Sequence, residues 1–278
     1  MALSLAACGG GGGGGVSTLT PPAGVTPVVD PVTSDLTIWN DTVVGTTGED
    51  TVRGLRIDTV QTFNSGDSIT LGDGIDNLSA TLNEGTVTPA AITGVENVMF
   101  VALGPATIDF DNVSGVTSLI SRGSSATLVV DDIQEIPTSI SVNNNTAAQT
   151  FIFKDTAVSG NTDELTLQFD GVGGVVNVGS ELVGDGDIEI FTIIAAGGAS
   201  DLGAGNGFGA DAITITVNAT SDLDLGSTAQ FIASTNFDAS DSTAAVTAVF
   251  AAKTTASETA VTIKGGAGAD KFDIRTFT

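Results

Sequence analysis

Histidine and tyrosine are missing from this 278-residue chain, cysteine and tryptophan occur once each, and 8 Lys and Arg stand against 33 Asp and Glu. Each scarcity closes off a class of chemistry. Without histidine there is no Ser-His-Asp triad, no HExxH zinc site and no imidazole-ligated metal. A lone Cys8 forms no disulfide within the chain and no thiolate zinc or iron–sulfur site. A formal net charge of −25 repels phosphate backbones, so no nucleic-acid partner is expected. No apolar run approaches the roughly 18–20 residues of a membrane-spanning helix, so no transmembrane span is expected. Charged residues make up 15% of the chain and the mean hydropathy is +0.31, so there is apolar surface enough to bury a core. What such a chain attracts is a hard divalent cation, above all calcium, because oxygen is the one metal ligand on offer.

What the sequence has in excess is glycine, 36 residues, and it is unevenly placed. Residues 1–35 form a separate segment: Leu5–Cys8, seven glycines from Gly9 to Gly15, then Pro-rich sequence to Pro31. Glycines without side chains to bury, followed by prolines that favour extended backbone, read as a disordered tether. Leu5–Cys8 resembles a bacterial lipobox, in which the cysteine becomes the lipidated first residue of the mature protein. A working signal also has a basic n-region and an apolar stretch of about 7–15 residues, and neither precedes Cys8. The two readings are thus a lipid anchor at Cys8 on a signal remnant, and an unmodified thiol on a disordered tail.

From residue 36 the chain becomes short β-branched runs closed by Gly, Asp or Asn: Leu36–Trp39, Ser68–Leu71, Ala126–Val130, Glu164–Phe169, Ile213–Val217 and Ala260–Lys264. Passable helical stretches are confined to 89–92 and 244–252, so residues 36–278 read as one all-β domain. Four phrases share the form Gly/Asp–Val/Ile–x–x–apolar, at Gly94–Phe100, Gly115–Ile120, Asp132–Ile136 and Asp187–Phe191. A repeat of about 20 residues, one or two strands each, points to a parallel β-helix (β-solenoid) with short irregular coils. The alternative is an antiparallel β-sandwich, which would show more tight hairpin signals such as Asn-Gly. Trp39, Phe151, Phe153 and Phe191 read as core, with carbohydrate stacking as a second reading of Trp39.

Four segments approach the nonapeptide GGxGxDxUx, in which glycines turn backbone carbonyls inward, an aspartate adds an anionic oxygen and an apolar residue starts a strand. They are Gly45–Val52, Leu71–Leu78, Asn206–Ile213 and Gly265–Asp273, and the last matches every fixed position. The candidate metal ligands are Asp50, Asp73, Asp76, Asp211, Gly266, Gly268, Asp270 and Asp273. One nonapeptide supplies half a site, and the four are dispersed along the chain, so partners are sought at Asp73, Asp185, Asp187, Asp201 or Asp238. The bland reading of each motif is a Gly-Asp turn with no ion.

On Gly45–Val52, Gly72–Leu82, Ile92–Val98 and Gly265–Asp273 the chain resembles the calcium-dependent RTX-type β-solenoid proteins of bacterial surfaces, particularly S-layer proteins and type I-secreted repeat proteins. The resemblance implies calcium (Ca2+) bound in the turns, assembly of the chain with itself into a lattice or filament, and an extracellular, cell-surface location, anchored to the outer membrane if Cys8 is lipidated. Type I substrates carry no lipobox, so the two ends imply different export routes. The chain stops just after its best motif, where a tandem partner is expected, which suggests a solenoid continuing beyond Thr278. The resulting expectation is a non-enzymatic structural protein. Its alternatives are a surface adhesin that binds a glycan and, behind that, a polysaccharide lyase using Arg53, Arg56 or Lys154. Thr166, Thr214 and Thr216 suggest an ice-binding array, but with too few rungs.

Overall fold

The computed structural model describes residues 30–181, 188–203, 207–208, 212–226, 234–251 and 260–275, and among these there is no helix. Eleven parallel strands form one sheet in strict chain order: Thr33–Asp35, Thr51–Gly54, Asn77–Leu82, Asn97–Ala102, Ser118–Arg122, Ser139–Asn143, Glu164–Asp170, Ile190–Ala195, Thr214–Ala219, Asn236–Asp238 and Thr262–Lys264. Between each pair the chain leaves this sheet and returns one strand further on, which is the path of a β-solenoid. One coil takes from 18 residues (Thr33 to Thr51) to 27 (Ser139 to Thr166). Parallel sheets of six, four and three strands line the other walls. The exception is an antiparallel hairpin, Arg56–Ile57 with Val60–Gln61.

The alternation of each strand explains the packing. Odd positions such as Asn77, Ser79 and Thr81 face out, while Leu78, Ala80 and Leu82 are fully buried. Stacked in register, the inward residues make continuous columns, of which Val52, Leu78, Val98, Leu119, Ile140, Leu167, Ile193 and Val217 form one. Phenylalanines fill the space between walls, in contacts such as Phe63–Phe100 (6.0 Å between ring centres) and Phe237–Phe250 (5.1 Å). Phe151, Phe153 and Phe191 are in this core as expected, but Trp39 is 74% exposed, on the first coil.

Two further details depart from the sequence reading. The stretches 89–92 and 244–252 contribute strands Ala91–Thr93 and Val246–Ala251, because each pairs in parallel with strands of the neighbouring coils. Asp132–Ile136 is no rung of the main sheet: the rung after Ser118–Arg122 is Ser139–Asn143. Asp132 instead sits where a bulge interrupts the Leu128–Ile133 strand, and it takes a left-handed conformation (φ 59°).

Backbone groups at the corners are closed by a repeated device in which a side-chain oxygen of one coil accepts an N–H from the coil before it. Ser124 Oγ accepts from Ala102 (2.9 Å), Asn145 Oδ1 from Ser124 (2.8 Å), Ser200 Oγ from Val172 (3.2 Å) and Ser242 Oγ from Ala219 (3.0 Å). Buried corner donors would otherwise be orphaned.

Candidate functional site

The first two Gly-Asp motifs lie on adjacent coils. Thr51 pairs with Asn77, Gly45 N–H donates to the Thr70 carbonyl (2.8 Å) and Asn77 N–H to the Asp50 carbonyl (2.9 Å). The 26 residues between Asp50 and Asp76 are therefore one coil, and the dispersal seen along the sequence disappears in space. Close approach needs the glycines. A Cβ on Gly94, which has φ 63°, would lie 2.7 Å from the Gly72 nitrogen.

At this corner the closing oxygens are carboxylates. Asp50 Oδ1 accepts from Val32 N–H (2.6 Å), Asp76 Oδ1 from Asp50 N–H (2.6 Å), and Glu96 Oε2 from Asp76 N–H (2.8 Å). Asp50 is well satisfied, since its Oδ2 also accepts from Thr46 N–H (2.5 Å) and the Thr46 hydroxyl lies at 3.1 Å. Burial pushes the Asp50 carboxyl up, but the Thr46 and Val32 amides and the Thr46 hydroxyl outweigh it and hold it below the usual value. Asp76 is the opposite case. It is fully buried, and its Oδ2 is the one buried carboxylate oxygen without a hydrogen-bond partner among the described residues. Burial, aided by the charges of Asp50, Glu96 and Glu49, raises its carboxyl above the usual value despite the Asp50 amide.

The other expected ligands are placed differently. Asp73 is exposed on the turn ahead of Asp76. Asp270 spends Oδ2 on Gly266 N–H (2.7 Å) and Oδ1 on Val246 N–H (2.9 Å), so it repeats the Asp50 closure on the last coil. Gly266 and Gly268 press against the carbonyls of Ser242 and Ala244, where a Cβ would overlap them. Asp273 pairs with Arg275 (2.6 Å). Among the suggested partners, Asp238 holds Lys264 (2.5 Å), which keeps its carboxyl well below the usual range. Asp211, Asp185, Asp187 and Cys8 lie outside the described residues. The structure thus links Asp50, Asp76 and Glu96 through backbone hydrogen bonds, with Asp73 exposed on the turn just ahead of Asp76 and Asp270 and Asp273 on a different coil.

A second acidic group was not singled out from the sequence. Asp109, Asp111 and Asp132 each offer a carboxylate oxygen within 4.8 Å of the others. Asp109 and Asp131 are register partners on adjacent coils, and the bulge after Asp131 presents Asp132 to Asp111. Lys154 from the next coil neutralises part of the cluster, reaching Asp111 (2.6 Å) and Asp132 (3.2 Å). The Lys154 ammonium is correspondingly held well above its usual value, first by its hydrogen bonds to Asp111 and Asp132. Burial and the neighbouring Asp132 raise the Asp131 carboxyl, while Glu181 is raised by its hydrogen bond to Asp132. The signal available in the sequence is the separation of Asp111 and Asp132 by 21 residues, one coil, which only a correct register makes legible.

A groove of about 540 Å³ also runs along the later coils, lined by Asp201, Asp222, Asp224, Thr146 and Thr247 among others. Asp201 and Asp224 close local turns, on Gly203 N–H (2.8 Å) and Gly226 N–H (2.9 Å), and Asp222 Oδ1 accepts from Ala245 N–H of the next coil (3.1 Å).

Comparison with protein-family models, with curated proteins and with solved structures finds no match. The functional reading therefore rests on this chain's own residues. Among the described residues the Asp109–Asp111–Asp132 cluster gathers three hard anionic oxygens that could hold a metal ion, with nothing in it specific to calcium, while Asp76 offers a single unpartnered oxygen. Asp50 and Asp270 fit less well, because backbone donors already occupy both of their carboxylate oxygens.

Proposed function

We propose that this chain is a structural, self-assembling and calcium-stabilised protein of a bacterial cell surface, a component of a surface layer or extracellular fibre, with no catalytic role. The observation that carries the reading is the eleven-stranded parallel sheet, in which coil after coil stacks in register in strict chain order. A sheet built this way is a template on which strands of another copy can be added. The charge of −25 opposes that association until cations neutralise the carboxylates stacked coil upon coil. Asp76, Asp109, Asp111 and Asp132 would hold calcium, which supplies positive charge where one buried oxygen lacks a donor and three carboxylates converge. Calcium at about 100 times its dissociation constant stabilises a one-site protein by about 2.7 kcal/mol, so a chain exported unfolded would fold where calcium is plentiful. Electron microscopy of the full chain in calcium tests the reading. Ordered sheets or filaments support it, and dispersed monomers under all calcium concentrations reject it.

The groove beside Asp201, Asp222 and Asp224 favours a second reading, a glycan-binding adhesin. Such a protein would stay monomeric in calcium and retain surface polysaccharide on a column.

A further inference from the structure

The hairpin of Arg56–Ile57 with Val60–Gln61 belongs to no wall of the solenoid, since its two strands pair only with each other. It is also where apolar surface collects: Leu55, Ile57 and Val60 are exposed by 44%, 54% and 51%. A two-stranded hairpin is marginal in water without something to pack on, so a ribbon this short with three bare aliphatic side chains calls for a cover. Beside them stands Arg56, exposed and with no hydrogen bond or ion pair for its side chain among the described residues. By contrast Arg53, Lys154, Lys264 and Arg275 are all engaged by aspartates.

A counterpart lies elsewhere on the same chain. Phe110, Val116, Leu119, Ile133 and Pro137 help to wall a narrow depression of about 10 Å³, room for the end of one aliphatic side chain. Glu135 lines it as well, exposed, and its side chain too has no partner among the described residues. The two features sit at opposite ends of the main-sheet strands. Leu55 follows Thr51–Gly54 directly, while Val116 and Pro137 come just before Ser118–Arg122 and Ser139–Asn143.

From these features we infer that the hairpin of one copy docks on the depression of a second copy, its aliphatic side chains over the apolar wall and Arg56 against Glu135. The inference rests on the self-assembling reading and names a lateral interface for it. Two hairpins facing each other would set Arg56 against Arg56, and two depressions would set Glu135 against Glu135, so the contact joins unlike surfaces. Such a contact is heterologous. Made by translation along the strand direction it does not close on itself, and it extends as an open row of parallel solenoids. The offset within the row follows from the sheet. From Thr51–Gly54 it is three strands to Ser118–Arg122 and four to Ser139–Asn143, which staggers neighbours by about 14–19 Å along the solenoid axis at ~4.8 Å per strand.

Charge reversal separates this contact from a change in net charge. In the full chain with calcium, Arg56→Glu and Glu135→Arg should each raise the concentration at which light scattering appears, by about tenfold or more, although the first makes the chain more acidic and the second less. The double variant R56E/E135R should return to the parent's value, because the pair is re-formed with its sense reversed. The variant I57N/V60N should weaken assembly as well. All of these side chains are exposed, so every variant should keep the β-sheet circular dichroism of the parent. Electron micrographs of the parent should show neighbouring solenoids staggered rather than level. Single variants with opposite effects that track net charge, or a double variant no better than either single, would overturn the hairpin contact and leave self-assembly standing. Assembly unchanged in every variant would overturn it too, and would assign the hairpin's cover to a lipid surface or to another segment of the chain. A parent chain that stays monomeric in calcium would overturn both readings.

Discussion

Replacing Asp76 by asparagine separates the two roles that a buried carboxylate can play in this corner. Asparagine keeps an oxygen to accept the Asp50 N–H, now bonded at 2.6 Å. It removes a negative charge that faces Asp50, Glu96 and Glu49, and it puts an amide where Oδ2 has no partner. A buried charge without a partner costs at least about 1–3 kcal/mol, and a neutral amide at the same place costs less even though it too lacks a partner. The residues from Gly72 to Ile75 are exposed, so solvent screening takes the figure towards the lower end, about 1 kcal/mol. In chelator, Asp76→Asn should therefore melt about 2–4 °C above the parent. In calcium the order should reverse, because the parent gains stability from the ion, by about 2.7 kcal/mol at 100 times the dissociation constant, and the variant does not. Thermal melts followed by circular dichroism with and without chelator measure both signs. If Asp76→Asn is destabilised equally in chelator and in calcium, Asp76 is a structural cap and no cation acts there.

Further outcomes follow from other residues. In chelator, acidification from neutral pH towards about pH 4 should raise the melting temperature. Folded Asp76, Asp67 and Asp131 have raised carboxyls, so they bind protons before the unfolded chain does, whose carboxyls titrate near ~3.9. Below that value stability should fall again, as Asp50 and Asp238, held low in the fold, are protonated; a scan of melting temperature against pH shows the maximum or its absence. Gly268→Ala should cost about 1–3 kcal/mol, since its methyl would overlap the Ala244 carbonyl, while Gly85→Ala meets open space and pays for its positive φ alone; urea melts compare the two. Lys154→Gln should tighten terbium or calcium binding at Asp109, Asp111 and Asp132 by removing the competing ammonium, and unchanged binding in a luminescence titration would remove that cluster as a cation site. Intact mass of cell-derived protein should show acyl chains on Cys8, and an unmodified thiol rejects the lipid anchor.

The solenoid was legible in the sequence because its coils are nearly periodic where the side chains alternate most cleanly. Gly94 and Gly115 precede rungs 21 residues apart, Asn97 and Ser118, and the pairing is as the repeat predicts. The sequence misleads where a phrase of rung-like composition falls off the 21-residue step that carries Asn97 to Ser118 and Ser118 to Ser139. Asp132–Ile136 has the right composition for a rung, but a bulge occupies it and the rung is Ser139–Asn143. The Gly-Asp motifs were visible as turns, yet their partnership was not. Asp50 and Asp76 are 26 residues apart and Asp76 and Glu96 are 20 apart, so no fixed period links them. Which carboxylates end up satisfied was also hidden, because Asp50 and Asp76 occupy the same motif position. The difference lies four residues earlier: the Thr46 amide and hydroxyl serve Asp50 and the Gly266 amide serves Asp270, whereas Gly72, at the matching step, donates nothing to Asp76 Oδ2. Trp39 was misplaced for a related reason: it belongs to the first coil, which has no described coil before it to pack on.

Calcium-dependent assembly is the claim on which the rest depends, and light scattering through one cycle of calcium removal and return tests it most directly. Scattering from the full chain should rise in calcium, collapse to the monomer value when chelator is added, and recover when calcium is restored, with the melting temperature following the same course. Scattering and melting temperature that stay the same through the cycle would contradict it.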